Sequence, residues 1–252
     1  MAGTMAGKVA LVTGAGMGIG RATALAFGDQ SASVVVADMD ANAGNKTVEL
    51  IKKAGGKAVF VQCDVSKGEE VKAMVEAAVK EFGRLDYACN NAGIHGPVPE
   101  APLQELDEVL WKRIMDVNLN GVMLCMKYEI SPMLKQGGGV IVNIASVAGI
   151  THEPGSYAYT ASKHGVVGLT KVAAVAYAKA GIRVNSVCPA CIETPMLESG
   201  DPEFKQMLAS THPVGRFGKP EEIAGTVMWL CSDLAGFVTG TSVMVDGGVT
   251  AQ

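Results

Sequence analysis

The sequence has no apolar run approaching the ~20 residues that cross a bilayer, no basic cluster, and no charged-then-apolar leader. The first absence argues against a membrane-spanning helix. The second, with a formal charge of -4, gives no reason to expect nucleic acid or an anionic membrane as partner. Aromatic residues are scarce at 5%, and charged residues at 18% are few beside 48% hydrophobic ones, which describes a globular chain with a large core, not a disordered one. Of the six cysteines, only Cys188 and Cys191 stand at a ligand-like spacing and no second pair completes a zinc site, so no metal is expected. Free thiols without a leader point to a reducing compartment, read as the cytoplasm. The patternless opening from Met1 to Gly7 is left out of the fold argument.

What the chain does have is an alternation of short β-branched runs and helical patterns. Val9-Ala10-Leu11-Val12 leads into Thr13-Gly14-Ala15-Gly16-Met17-Gly18-Ile19-Gly20 and then the helix-prone Arg21 to Phe27. A strand, a glycine turn and a helix start in that order make a pyrophosphate cradle, because glycine lets the backbone approach closely and the free N–H groups favour an anion. The spacing is Gly-x-x-x-Gly-x-Gly on Gly14, Gly18 and Gly20, with Ile19 where the six-residue fingerprint has its last glycine. Val34 to Ala37 reads as the second strand, and Asp38 at its end stands where an acid bonds an adenosine ribose, a helix cap being the alternative. A carboxylate there repels a 2'-phosphate, and neither Met17 nor Met39 offers a cation. NAD is therefore favoured over NADP.

Further strands are expected at Ala58–Val61, Leu85–Ala88, Val140–Ala145, Ile182–Val187 and Val243–Val245, with helices at Val71–Phe82 and Pro220–Cys231. Repeated strand and helix order implies an α/β fold, a parallel sheet covered on both faces. One domain over residues 1–252 is expected. Asp64 is open to two readings, a cap or an adenine ligand, and Asn90-Asn91-Ala92-Gly93 suits a turn beside a ligand. Asn118 lies inside a helical segment from about Leu103 to Leu134, where its side chain competes for backbone bonds, so a kink or water site is expected. The stretch at about 190–217, with Met196, Leu197, Phe204, Met207 and Leu208, reads as irregular, either a mobile apolar lid over a small substrate or a packed surface helix.

The chemistry-bearing stretch runs from Ser146, at the carboxyl end of the fifth strand, to Tyr159 and Lys163. Of the tyrosines at 87, 128, 157, 159 and 177, only Tyr159 has a cation four residues later, on the same helix face. That ammonium is expected to favour the phenolate and to lower the proton affinity of Tyr159 toward the working pH.

Together the glycine loop, Asn90 to Gly93, Asn118, Ser146, Tyr159 with Lys163, and Pro189 to Thr194 resemble the short-chain dehydrogenase/reductase family over nearly the whole chain. The resemblance implies a single Rossmann-type, doubly wound domain with a seven-stranded parallel sheet, in a homotetramer. It implies that Ser146 orients the substrate oxygen, Tyr159 exchanges its proton, Lys163 bonds the nicotinamide ribose and Asn118 holds a relay water. Cofactor contacts are implied for Gly14, Gly18, Ile19, Gly20, Asp38, Asp64, Val65, Asn91, Ala92, Gly93, Tyr159, Lys163, Pro189, Ile192 and Thr194. Where the family has Pro-Gly, this chain has Pro189-Ala190, which puts substrate access there in question because Ala avoids positive φ. His95, His152, Glu153, Tyr157, Ala190, Cys191, Met196 and Met207 are candidate substrate contacts. The expected reaction interconverts a neutral secondary alcohol and its ketone with NAD. The alternatives are an NADP-dependent reductase resembling those that act on 3-oxoacyl carrier protein, a cofactor-binding protein without turnover, and a dithiol or zinc centre at Cys188 and Cys191.

Overall fold

Every residue of β1, Val9–Thr13, is buried, which requires neighbours on both faces and both edges, and its β-branched side chains suit that place. In the computed structural model, which describes residues 5–97, 99–195 and 202–252, β1 pairs in parallel with β2 (Ser33–Asp38) on one side and β4 (Tyr87–Asn90) on the other. β3 (Lys57–Gln62) extends one edge, and β5 (Gly139–Ile144), β6 (Ile182–Pro189) and β7 (Ser242–Val245) extend the other. The sheet has seven parallel strands in the order β3-β2-β1-β4-β5-β6-β7. Its winding reverses between β1 and β4, so a crevice opens beyond the carboxyl ends of those two strands.

The helices divide between the faces. α1 (Gly18–Asp29), α2 (Ala41–Lys53) and α8 (Pro220–Cys231) supply Phe27, Ile51, Ile223 and Leu230 to one core. α3 (Gly68–Phe82), α5 (Gly121–Gln136) and α6 (Tyr157–Tyr177) supply Met74, Met133 and Val166 to the other. The expected long helix from Leu103 is interrupted: α4 (Glu108–Met115) passes into a π-helical turn over Asp116–Asn120 before α5 begins. The kink expected at Asn118 is this turn, a frequent device at functional sites. The stretch read as irregular contains α7 (Pro202–Ser210), rich in good helix formers.

A buried polar chain ties the strand ends that face the crevice. Asn90 at the end of β4 donates to Glu129 of α5 at 3.1 Å and to Asn143 of β5 at 3.0 Å, and Asn143 donates to Thr170 of α6 at 2.9 Å. Glu129 is fully buried; burial pushes its carboxyl up to about 7 against the opposing hydrogen bond from Asn90. Because the folded state holds this proton more tightly than the unfolded chain, Glu129 costs stability as pH rises from about 4.5 to about 7. Glu129→Gln should remove that part of the pH dependence, a relative gain on the order of 3 kcal/mol at pH 8. Urea unfolding at pH 5 and pH 8 checks it; an unchanged difference between wild type and variant at the two pH values would contradict it.

Candidate active site

The glycine loop is shaped by what surrounds it. Gly14 and Gly18 have φ of 60° and 52°, in the left-handed region that favours glycine. A Cβ on Gly14 would lie 2.9 Å from the Ala92 backbone, and one on Gly20 would lie 2.1 Å from the Gly14 carbonyl oxygen. α1 starts at Gly18 without a side-chain cap and without an acid in its first turn, so its first N–H groups are available to an anion. The loop is clamped from β4: Asn91 donates through Nδ2 to the carbonyls of Thr13 at 3.0 Å and Gly14 at 3.1 Å, while Thr13 Oγ1 accepts from the N–H groups of Asn91 and Ala92.

Asp38 lines the same crevice, and both its oxygens hold backbone. Oδ2 accepts from Gly16 N–H at 2.7 Å and Oδ1 from Asp40 N–H at 2.9 Å. The helix-capping role belongs to Asp40, which accepts from Asn42 and Ala43 at the start of α2. Asp64 is different. Its carboxylate accepts from the Ser66 N–H and hydroxyl and lies 3.6 Å from Arg113, and Cys63 and Val65 line the crevice where Asp64 does not. Asp64 therefore holds the turn at Ser66 ahead of α3, whose N-cap is Lys67 without a side-chain cap, so it caps no helix. Gly20 likewise stands behind the lining and serves close packing.

The crevice holds about 530 Å³ and takes in Gly14, Gly18, Ile19, Asp38, Val65, Asn91, Ala92, Gly93, Ser146, Tyr159, Lys163, Pro189, Ile192 and Thr194. That size suits a small-molecule ligand. Ser146 follows β5, and its Oγ accepts from Ala148 N–H at 3.1 Å, while its hydroxyl is near enough to the Tyr159 phenol to work against the rise in its pKa. Tyr159 and Lys163 lie one turn apart on α6, whose first N–H groups are capped by a distant residue: the buried Glu100 accepts from Tyr157 at 3.0 Å and Ala158 at 3.4 Å. A carboxylate at a helix start is favoured by the dipole.

The expected tuning of the phenol by the ammonium is corrected. Lys163 is buried and donates to the Ile144 carbonyl at 2.9 Å, with Nζ 5.5 Å from the centre of the Tyr159 ring. Burial pushes Tyr159 up to about 12, against the Ser146 hydrogen bond, and pushes Lys163 down to about 8. Helical spacing brings the two together, but a carbonyl of β5 decides where the ammonium points. The π turn places Asn118 so that it grips the loop after β4: Oδ1 accepts from Ile94 N–H at 2.8 Å, and Nδ2 donates to the Ile94 carbonyl at 2.9 Å and to Ser162 at 3.2 Å.

Of the candidate substrate contacts, His95, His152, Glu153, Ala190 and Cys191 line the crevice; Tyr157 and Met207 do not, and both are exposed. Met196, Leu197 and the side chain of Phe204 lie outside the described residues. From α7 and the turn after it come Leu208, Thr211 and His212, the last two unforeseen because nothing periodic marks them. Ala190 is not among the residues at positive φ, so its replacement of a glycine carries no strain. Cys188 is buried in β6, and burial raises both it and Cys191, the latter to about 11, which leaves the two thiols poor nucleophiles.

Comparison with known proteins identifies the family. A family profile described as "Enoyl-(Acyl carrier protein) reductase" matches residues 14–250. Cyclohexanol dehydrogenase from Acinetobacter sp. (strain SE19) is 48% identical over 97% of this chain and 96% of its own. The 2,5-dichloro-2,5-cyclohexadiene-1,4-diol dehydrogenase of Sphingobium indicum (strain DSM 16412 / CCM 7286 / MTCC 6364 / B90A) is 45% identical over 98% of each chain. The crystal structure of levodione reductase superimposes with a TM-score of 0.94 at 34% identity, covering 98% of this chain and 99% of that one. The chain is an oxidoreductase that belongs to the short-chain dehydrogenase/reductase family.

Proposed function

We propose that this protein interconverts a neutral secondary alcohol on a ring and the corresponding ketone, with NAD as cofactor. The observation that carries the reading is the meeting of Ser146, Tyr159 and Lys163 in a crevice rimmed by the glycine loop and Asp38. The residues present fit a dinucleotide: the cradle has room only while Gly14 and Gly20 lack a Cβ, α1 begins uncapped, and Asp38 lines the crevice as the acid expected at the ribose. Bound there, the nicotinamide supplies the hydride acceptor. The chain supplies the proton path and the orientation. Ser146 Oγ holds the substrate oxygen, Tyr159 Oη takes the hydroxyl proton in oxidation and returns it in reduction, and Lys163 contributes a nearby positive charge and N–H donors for a ribose. Among the described residues that line the crevice, Lys163 is the only Lys or Arg, so a substrate carrying carboxylate or phosphate finds little to pair with. The relatives named for cyclohexanol and for a cyclohexadienediol support a cyclic alcohol.

Two further readings belong to the same proposal. All six cysteines are free, which supports a cytoplasmic setting, and among the described residues no helix is long and apolar enough to cross a membrane. Val172 and Val175 on α6 and Leu234 and Phe237 before β7 are strongly exposed, which supports association into a homotetramer; sedimentation equilibrium should report four copies, and a monomer at micromolar concentration would contradict this.

Tyr159→Phe keeps shape but removes the transferable proton, so turnover of cyclohexanol should fall by ~10²-fold or more, while Tyr157→Phe should change it little. Equal single-turnover rates for Tyr159→Phe and wild type would remove Tyr159 from the reaction. On cofactor choice, each unit-charge pair between Asp38 and a 2'-phosphate at ~4 Å costs about 4 kcal/mol at an effective dielectric of ~20 before screening. Wild type should therefore prefer NAD by ~10²-fold or more in kcat/KM, and Asp38→Ala with Met39→Arg should move the ratio toward NADP. An unchanged ratio in the double variant would show that Asp38 serves only to hold Gly16.

A further inference from the structure

One acid in the crevice has no part in the mechanism above. Glu153 lines the substrate end, half-buried, and its Oε2 lies 3.1 Å from His95 Nε2. His95 Nδ1 lies 2.8 Å from the Gly96 carbonyl. Both ring nitrogens therefore face acceptors, so the imidazole must donate from both, and the pair is an imidazolium and a carboxylate. Burial works against that charge, but Glu153 and the Gly96 carbonyl outweigh it and raise the His95 pKa. The His95 ring in turn lies against the Tyr159 ring with centroids 4.2 Å apart and planes tilted by 35°. Glu153 is thus held at a fixed place beside the proton-exchanging phenol, with one oxygen tied back to His95 and the other uncommitted. Glu100 also faces His95 electrostatically, but its Oε2 caps α6. Lys163 is given to the Ile144 carbonyl. Glu153 is left as the carboxylate that a substrate in this largely apolar wall of Ile94, Val147, Pro154 and Leu208 meets.

We infer that Glu153, positioned by His95, is a specificity-determining residue that accepts a hydrogen bond from a second hydroxyl on the substrate ring, so that the preferred substrates are cyclic diols. This rests on the alcohol dehydrogenase reading above and narrows its substrate class. A carboxylate facing a purely hydrocarbon ring would lose water without compensation, whereas a ring hydroxyl restores the bond. Partial exposure of Glu153 limits the gain to about tenfold in kcat/KM, within the range of hydrogen bonds to charged groups.

The competing role is a latch in which the pair merely pins the loop after β4 to the segment before α6. A latch acts on every substrate alike; a specificity residue changes ratios. The test measures kcat/KM for cyclohexanol and for cyclohexane-1,2-, -1,3- and -1,4-diol in wild type, Glu153→Leu and Glu153→Gln. Wild type should favour at least one diol over cyclohexanol by about tenfold, Glu153→Leu should abolish that ratio with the change mainly in KM, and Glu153→Gln, whose one amide oxygen is held by His95 so that an NH2 faces the ring, should lower it. The same ratio in Glu153→Leu as in wild type, or no diol preference in wild type, would overturn the inference while leaving the alcohol dehydrogenase reading intact. Should no alcohol turn over, that reading falls, and calorimetric binding of the diols and cyclohexanol to the same three proteins decides the inference, with equal diol selectivity in wild type and Glu153→Leu counting against it.

Discussion

The site depends on one buried cation. Lys163 sits inside the protein with its ammonium on the Ile144 carbonyl, and taking such a charge out of water costs several kcal/mol unless its donors are satisfied. That single bond joins the middle of α6 to the end of β5, so it fixes where the helix lies along the strand and thereby where Tyr159 stands relative to Ser146. The surroundings comply with it. A Cβ on Gly149 would come within 2.7 Å of the Lys163 carbonyl oxygen, and one on Gly93 would lie 3.6 Å from Nζ; small residues on both sides keep the backbone close without filling the space before the ammonium.

Around that contact the protein builds rigidity from polar groups. Asn90, Glu129, Asn143 and Thr170 lock β4, β5, α5 and α6 beneath the site, Asn118 grips the Ile94 backbone, and Glu100 caps α6. Each bond bridges segments distant in sequence. The result is a floor of strands and one helix, α6, held at its start and near its middle, while the loop after β4 and the region around α7 line the other end of the crevice.

Much of this was legible in the sequence because it is periodic or local. Buried β-branched runs gave the strands, the Gly-x-x-x-Gly-x-Gly loop marked the cradle, and Pro220 set the start of the last helix where the structure has it. A helix-disfavoured Asn marked the π turn. What stayed hidden is long-range. Nothing near Glu100 signals that it caps a helix beginning at Tyr157, nothing near Glu129 signals an Asn90 partner, and the two readings of Asp64 stay open until Ser66 and Arg113 are seen on its carboxylate. The misjudged effect of Lys163 on Tyr159 has the same origin: helical spacing predicts proximity, but the direction of a long side chain follows the acceptor that another strand offers.

The central claim is that this site moves hydrogen from the carbinol carbon of a ring alcohol to nicotinamide while the chain takes the hydroxyl proton. A single turnover of cyclohexanol deuterated at the carbinol carbon, with excess enzyme and NAD, tests it most directly by following the label in the products. The account predicts deuterium on the nicotinamide ring of the reduced cofactor and a primary isotope effect on its appearance. Label released to water, or cyclohexanol recovered unchanged with its deuterium in place, would contradict it.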